Sequence, residues 1–352
     1  MLLAANDVDP NIGSLTPLYW ACRMGHVSIV RQLLARDDVS LEPIRCGPLR
    51  LTTPLTVACI YSHVEVINLI LAKDGIDINF NGDLHGETPL MMAITRRLEE
   101  VVKSLLLRDD LNPNIANNNG HRALENAVTS GNFGIITSLL DHPDIDLNFV
   151  TRDGSTALIQ AVQQPDVVKL LLDREGIEVN HQDHSGWTAL SKAAQYSNLE
   201  VAKLLLERED ININLPDNRG RTPLFWACDN GCPKLVDLLL KKEGIDPNVR
   251  DIASGHTPLA HICHHLGSQA VAIVHLLLSS PDTDLDAVDN NGVSILADLI
   301  DTWHTYFELS SFRAVRGYAY LTSVQELQRR YYEIESLLCE AGASGAGDGY
   351  DF

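Results

Sequence analysis

At 352 residues and 45% hydrophobic content, the chain suffices for one extended array or two globular domains and falls outside the disordered class. Its 27 Lys and Arg face 47 Asp and Glu, and a net charge of −20 disfavours phosphate backbones and anionic headgroups as direct partners. Seven dispersed cysteines, no secretory leader and no apolar run of the roughly 20 residues that cross a bilayer point to a reducing compartment, cytoplasmic or nuclear.

The first stretch, MLLAANDVDPN, matches a later one, LLLKKEGIDPN, and so reads as the end of a repeated unit without its beginning. Residues 1–15 are therefore expected to be a partial repeat, from a fragment of a longer protein or an imperfect gene start. From residue 16 onward the recurrence is regular. Thr-Pro-Leu begins at 16, 53, 88, 222 and 257, while Thr-Ala-Leu at 156 and 188, Arg-Ala-Leu at 122 and Ser-Ile-Leu at 294 fill the gaps, giving successive spacings of 37, 35, 34, 34, 32, 34, 35 and 37 residues. An apolar pair or triplet follows each start, and an Asp/Asn-rich phrase such as GIDINF or DININL closes the unit.

One unit, 221–248, shows what this pattern dictates. Thr222 is a natural helix N-cap, and Pro223 suits the first turn because its missing N–H would be unpaired there anyway. Leu224, Ala227 and Cys228 share one helical face; Gly231 ends that helix; Leu235, Val236, Leu238 and Leu239 stripe a second; Gly244 and the following Asp-Pro-Asn turn the chain. Neither helix is long enough to stand alone, so neighbouring units must stack into an all-α solenoid of about nine helix-turn-helix repeats, regular over 16–293 and ending in a modified last repeat over 294–343.

The period near 33, the TPL phrase, Gly25-His26 between helices and the double-leucine second helix resemble the ankyrin repeat, in the style of fungal arrays. One departure is consistent: the His that usually follows TPL is replaced by Tyr19, Thr56, Met91, Glu125, Ile159, Ser191, Phe225, Ala260 and Ala297. The resemblance implies that the next position faces a concave groove. There it places Trp20, Met92, Trp226 and His261 as candidate partner anchors, Trp being the residue type most often dominant at interfaces. The alternative is that each ring covers the flank of a neighbouring helix.

Cys22, Cys59, Cys228 and Cys263 fall at a small apolar position of the first helix, too far apart between stacked helices for disulfides. The run HTPLAHICHH (256–265) collects metal-ligand residue types. Only His261 and His265 stand i, i+4, however; His256 lies in the preceding turn and His275 on a solvent-facing position of the second helix. Zinc needs three or four protein ligands, so no metal and no cofactor is expected, and His261, His264 and His265 should lie off the buried stripe. Asp153, Asp183, Asp217 and Asp289 are expected at corresponding points of successive turns, chiefly as turn formers and secondarily as a carboxylate ladder steering basic ligands.

The last unit is split by an insertion at about 304–330, rich in aromatic and basic residues: Trp303, Tyr306, Phe307, Phe312, Arg313 and Arg316 are its candidate docking residues. It is also the natural lid for the end of a stack. Ser323 to Glu326 reads as a capping box opening a helix with Leu327, Tyr331, Ile334 and Leu338 on one face, and 344–352 as a flexible tail. The expected function is a non-catalytic protein-interaction scaffold for a protein partner, a basic partner surface being the secondary expectation, with no direct nucleic acid or membrane contact. The alternatives are a nuclear coregulator acting through a transcription factor and an enzyme with a pocket formed by the insert, His304, Asp298, Asp301 and Glu308.

Overall fold

The threonine of each recurring phrase caps a helix. Thr16, Thr53, Thr88, Thr156, Thr188, Thr222 and Thr257 each accept the N–H of the residue three positions on, at 3.1 to 3.5 Å, as in Tyr19 N to Thr16 Oγ1 (3.2 Å). The computed structural model describes residues 9–46, 51–82, 84–313 and 318–343, leaving the side chains of 305–325 outside the description. These residues form two compact parts, Met1–Ile177 and Glu178–Phe352, each a stack of helix-turn-helix repeats.

In the first part the leading helices are α1 (Pro17–Met24), α3 (Pro54–Ile60), α5 (Pro89–Thr95), α7 (Ala123–Ser130) and α9 (Ala157–Gln160); before α3 lies a two-stranded antiparallel hairpin, β1 (Ile44–Arg45) and β2 (Leu51–Thr52), pairing Ile44 with Thr52. The returning helices are α2 (Val27–Leu34), α4 (Val64–Leu71), α6 (Glu99–Leu106), α8 (Phe133–Leu140) and α10 (Pro165–Leu172). Leading helices pack on leading helices and returning on returning, so every seam is lined by the small and aliphatic residues of the pattern. Leu55, Ile67, Leu90, Leu105, Leu124 and Leu139 are all fully buried in this way, each contributing about 2 kcal/mol of apolar transfer. The hairpin is a departure from the purely helical expectation, and it occupies one of the two longest intervals between repeats.

In the second part α11 (Ala189–Gln195), α13 (Pro223–Asp229), α15 (Pro258–His265) and α17 (Ile295–Arg313) lead, and α12 (Leu199–Leu206), α14 (Pro233–Leu240), α16 (Ala270–Leu278) and α18 (Tyr318–Glu340) return. The same seams recur among them. α17 has 19 residues and α18 has 23, against seven to nine in the other helices of this part: the insertion lengthens both helices of the last repeat. The predicted capping box at Ser323 is therefore not a helix start, because α18 already runs from Tyr318. Its predicted face holds nonetheless: Tyr331, Ile334 and Leu338 are buried and α18 packs on α16. No helix among the described residues is long and apolar enough to cross a membrane.

The closing phrases carry a second function that their turn chemistry did not reveal. Asp77 Oδ1 accepts the Asn79 N–H within the turn, while the Asn79 amide donates to Asp110 O (2.7 Å) and accepts from Asn112 N (2.8 Å) in the next repeat. The same two-way bridge is made by Asn11 to Asp38 and Ser40, Asn114 to Asp144 and Asp146, Asn180 to Asp210 and Asn212, Asn214 to Gly244 and Asp246, and Asn248 to Asp282 and Asp284. A side-chain amide is one donor and one acceptor in a single plane, which lets one residue satisfy two backbone groups of its neighbour. Each of these six asparagines thus ties its turn to the next, whereas Glu42 stands in the asparagine's place in the turn after α2.

Candidate functional site

The fourth residue after each cap forms a row: Trp20, Val57, Met92, Asn126 and Gln160 in the first part, and Lys192, Trp226, His261 and Asp298 in the second. The row is far from uniform in exposure. Trp20 is 43% exposed, whereas Met92 (3%), His261 (4%) and Trp226 (7%) are buried. For His261 this corrects the expectation that it lies off the buried stripe; Trp226 and His261 are covered by the preceding repeat, Trp187 packing on the one and Phe225 and Asp229 on the other.

The Trp226 indole lies 4.6 Å from the ring of Trp187 in the preceding turn and donates Nε1–H to Asp217 Oδ2 at 3.1 Å. Trp187, Trp226, Gln195 and Arg219 line a hollow of about 260 Å³ beside this pair. Asp217 Oδ1 also accepts the N–H groups of Arg219 and Arg221, and Asp183 and Asp289 cap their turns identically. The expected carboxylate ladder is thus absorbed into turn geometry. Asp153 is not in register with these acids: Thr151 occupies the corresponding point in its turn, with Gly154 N bonded to Thr151 O as Gly220 N is to Asp217 O, and Asp153 instead accepts from the Thr151 and Ser155 hydroxyls.

The histidines form two acid–base pairs. His261 Nε2 meets Asp229 Oδ1 at 2.6 Å, its ring packing 4.6 Å from Phe225 and 4.3 Å from His265. The His261 contact, followed by the charge of Arg221 3.8 Å away, holds Asp229 below the usual carboxylate range. His264 Nδ1 meets Asp298 at 3.1 Å, and His256 Nε2 lies 3.7 Å from the same carboxylate. Burial pushes the imidazoles of His256 and His265 down, towards the neutral form. Among the described residues, no group of three His, Cys, Asp or Glu side chains has the geometry of a metal site.

Thr302 Oγ1 also lies 3.1 Å from His264 Nδ1, so hydroxyl and carboxylate share one ring nitrogen. Nucleophile activation by an acid–His pair uses the two different nitrogens, and this arrangement lacks that relay. Of the other residues of the enzyme alternative, Asp301 and His304 are exposed, and the side chain of Glu308 lies outside the described residues. All seven cysteines are free, and burial raises the thiols of Cys22 and Cys59 to about 12, those of Cys228 and Cys263 higher still, which leaves them inert.

At the last repeat, Trp303 is 8% exposed and stacks on Tyr331 with centroids 4.9 Å apart. Arg330 Nη1 donates to Leu266 O and anchors α18 to the turn after α15. α16 and α18 border a trough of about 570 Å³, open to solvent and lined by Val271, Ala272 and Leu276 on one helix and Glu326, Arg329 and Arg330 on the other. The side chains of Tyr306, Phe307, Phe312 and Arg313 and the whole of Arg316 lie outside the described residues, as does the 344–352 tail.

The repeats and their order match known proteins. A family model described as three copies of ankyrin repeats matches residues 44–116, 99–183, 158–251 and 219–289, and a single ankyrin repeat model matches 14–42. The chain belongs to the ankyrin repeat family. Among solved structures it is similar to the ankyrin repeat domain of Bcl-3, described as a unique member of the IkappaB protein family, at 25% identity and a TM-score of 0.55, covering 62% of this chain and 99% of that one. The ankyrin repeat protein EF0377 shares the fold at 23% identity and a TM-score of 0.50, over 53% of this chain and 95% of that one. No curated protein matches.

Proposed function

We propose that this chain is a non-catalytic scaffold that binds a protein partner through the groove side of its leading helices, with the lengthened last repeat as a second contact. The observation that carries this reading is Trp20: in a row whose other large side chains are enclosed by neighbouring helices, it keeps 43% of its surface in solvent. A large exposed ring on a repeat surface is available for recognition. Met92 in the same part, and Trp226 and His261 in the other, are buried and each stiffens its own stretch of the row.

The net charge of −20 favours a partner with a basic surface and disfavours nucleic acid, chiefly through the rate and direction of approach. The narrower reading, a nuclear coregulator touching a basic transcription factor, rests on the same acidity and on the compartment the cysteines imply. The insertion contributes through Tyr306, Phe307, Phe312, Arg313 and Arg316. Affinity capture with the wild-type chain, Trp20→Ala and Arg313→Glu/Arg316→Glu, quantified by mass spectrometry, tests both contacts: each variant should lose the main bound protein, and an identical set in all three removes both from the account.

A further inference from the structure

Three arginines of this acidic chain pair with an aspartate close by in sequence. Arg36, Arg108 and Arg208 each grip the aspartate two residues on, Asp38, Asp110 and Asp210, at 2.8 to 3.0 Å. Arg23 does not. Its guanidinium carbon lies over two rings from successive repeats, 5.4 Å from the centroid of Trp20 and 5.3 Å from that of Tyr61, and Nη1 donates to Tyr19 Oη at 3.2 Å. Among the described residues no carboxylate stands within ion-pair distance of it.

The rings are themselves fixed. Trp20 meets Tyr19 edge-on at 5.5 Å, and Tyr61 stacks on His63, whose Nε2 bonds Arg23 O at 3.1 Å. Gly25 has φ +71°, and a Cβ there would meet the His63 ring at 2.6 Å, so this close approach of the two repeats depends on glycine. Around the cation, Trp20, Met24, Tyr61 and Val64 are all exposed.

A guanidinium held between two aromatic faces keeps its charge, has surrendered most of its rotamer freedom already and directs its remaining N–H groups outward in the plane that matches a carboxylate. We propose that Trp20, Arg23 and Tyr61 form a clamp for an acidic peptide segment, in which an Asp or Glu carboxylate of the partner takes the free edge of Arg23 and an adjoining apolar side chain covers Trp20 and Met24. The charge argument selects this occupant: an unpaired cation in a chain of net charge −20 has no use for a basic segment at contact, whatever the field favours at long range. This rests on the proposed function and names the chemistry of its Trp20 contact.

The test uses a random-peptide display library selected on the full chain. The best-enriched peptide is then titrated by fluorescence anisotropy in its acid form and with the Asp or Glu replaced by its amide. The enriched sequences should carry an acidic residue beside a large apolar one, and the acid form should bind wild type about tenfold tighter than the amide form, the scale of one charged contact. That difference should vanish in Arg23→Gln and survive in part in Arg23→Lys. No enrichment, enriched sequences without a carboxylate, or equal binding of acid and amide forms to wild type would overturn the clamp without recourse to any variant. Binding abolished by Trp20→Ala but indifferent to Arg23→Gln overturns the clamp and leaves the groove contact standing; indifference to both substitutions overturns both.

Discussion

Glu125 occupies the helix position held by Thr56 and Ser191 in other repeats, where a hydroxyl bonds back to the capping Thr53 or Thr188. In its repeat the cap is Arg122, whose side chain has no acceptor, and Glu125 Oε2 instead accepts the Arg122 N–H at 3.1 Å. The price is a fully buried carboxyl whose Oε1 has no partner, and burial raises its pKa to about 7. A carboxyl raised above its ordinary 4.5 stabilises the folded state in its protonated form, so its contribution is complete at acid pH and is lost as pH rises from 4.5 through 7. The loss by pH 8 is roughly 3 kcal/mol. Thermal midpoints should therefore fall between pH 5.5 and 8 in wild type, and Glu125→Gln should flatten that fall; parallel profiles for the two proteins would refute the assignment. None of this was legible in the sequence, where Glu125 stood only as one replacement for a missing histidine.

At the scale of elements, the capping threonines, the prolines behind them and the leucine seams were legible because their chemistry is local: a cap needs only the next three residues. The bridging asparagines were half legible. The Asp of Asp-x-Asn caps its own turn, but the Asn beside it acts on a backbone about 30 residues away, and local spacing carries no sign of that. Asn214→Ala removes a donor to Gly244 O and an acceptor for Asp246 N, and should lower the urea midpoint by the equivalent of about 1–3 kcal/mol, with faster amide exchange at Asp246. Asn214→Asp, which keeps only the acceptor, should fall between alanine and wild type. An exposed turn residue without that role would change stability by less than about 0.5 kcal/mol. The burial of Met92, Trp226 and His261 was equally out of reach, since it depends on the flanks of neighbouring helices, while Trp20 escapes it. At the other end Trp303→Ala should cost about 3–5 kcal/mol by emptying the stack against Tyr331, with early proteolytic cleavage within α18 as its sign. A helix cut no faster than in wild type would show that this stack does not hold it.

For the whole molecule, −20 is an excess that local pairs do not neutralise. The pairs that exist are mostly surface contacts such as Lys103 with Glu99 and Glu100 or Lys241 with Asp237, each worth about 0–1 kcal/mol. Self-repulsion of the excess charge outweighs them, so the thermal midpoint at neutral pH should rise as NaCl goes from about 0.01 to 0.15 M, where the screening length shortens from about 30 to 8 Å. A midpoint that falls over this range would mean that the surface pairs dominate.

The asparagine bridges also bear on how such a chain changes length in evolution. The bridged seams use the same amide, the same carbonyl and the same N–H, so an in-frame duplication or loss that begins and ends at equivalent points of two such repeats rejoins identical connectors. Removing residues 181–214, for instance, would bring Asn180 to the backbone that Asn214 now grips. The array can be shortened or extended by one module at a time without any new contact having to arise, and a recognition feature such as the Arg23 clamp can be carried along intact while the number of repeats beyond it drifts.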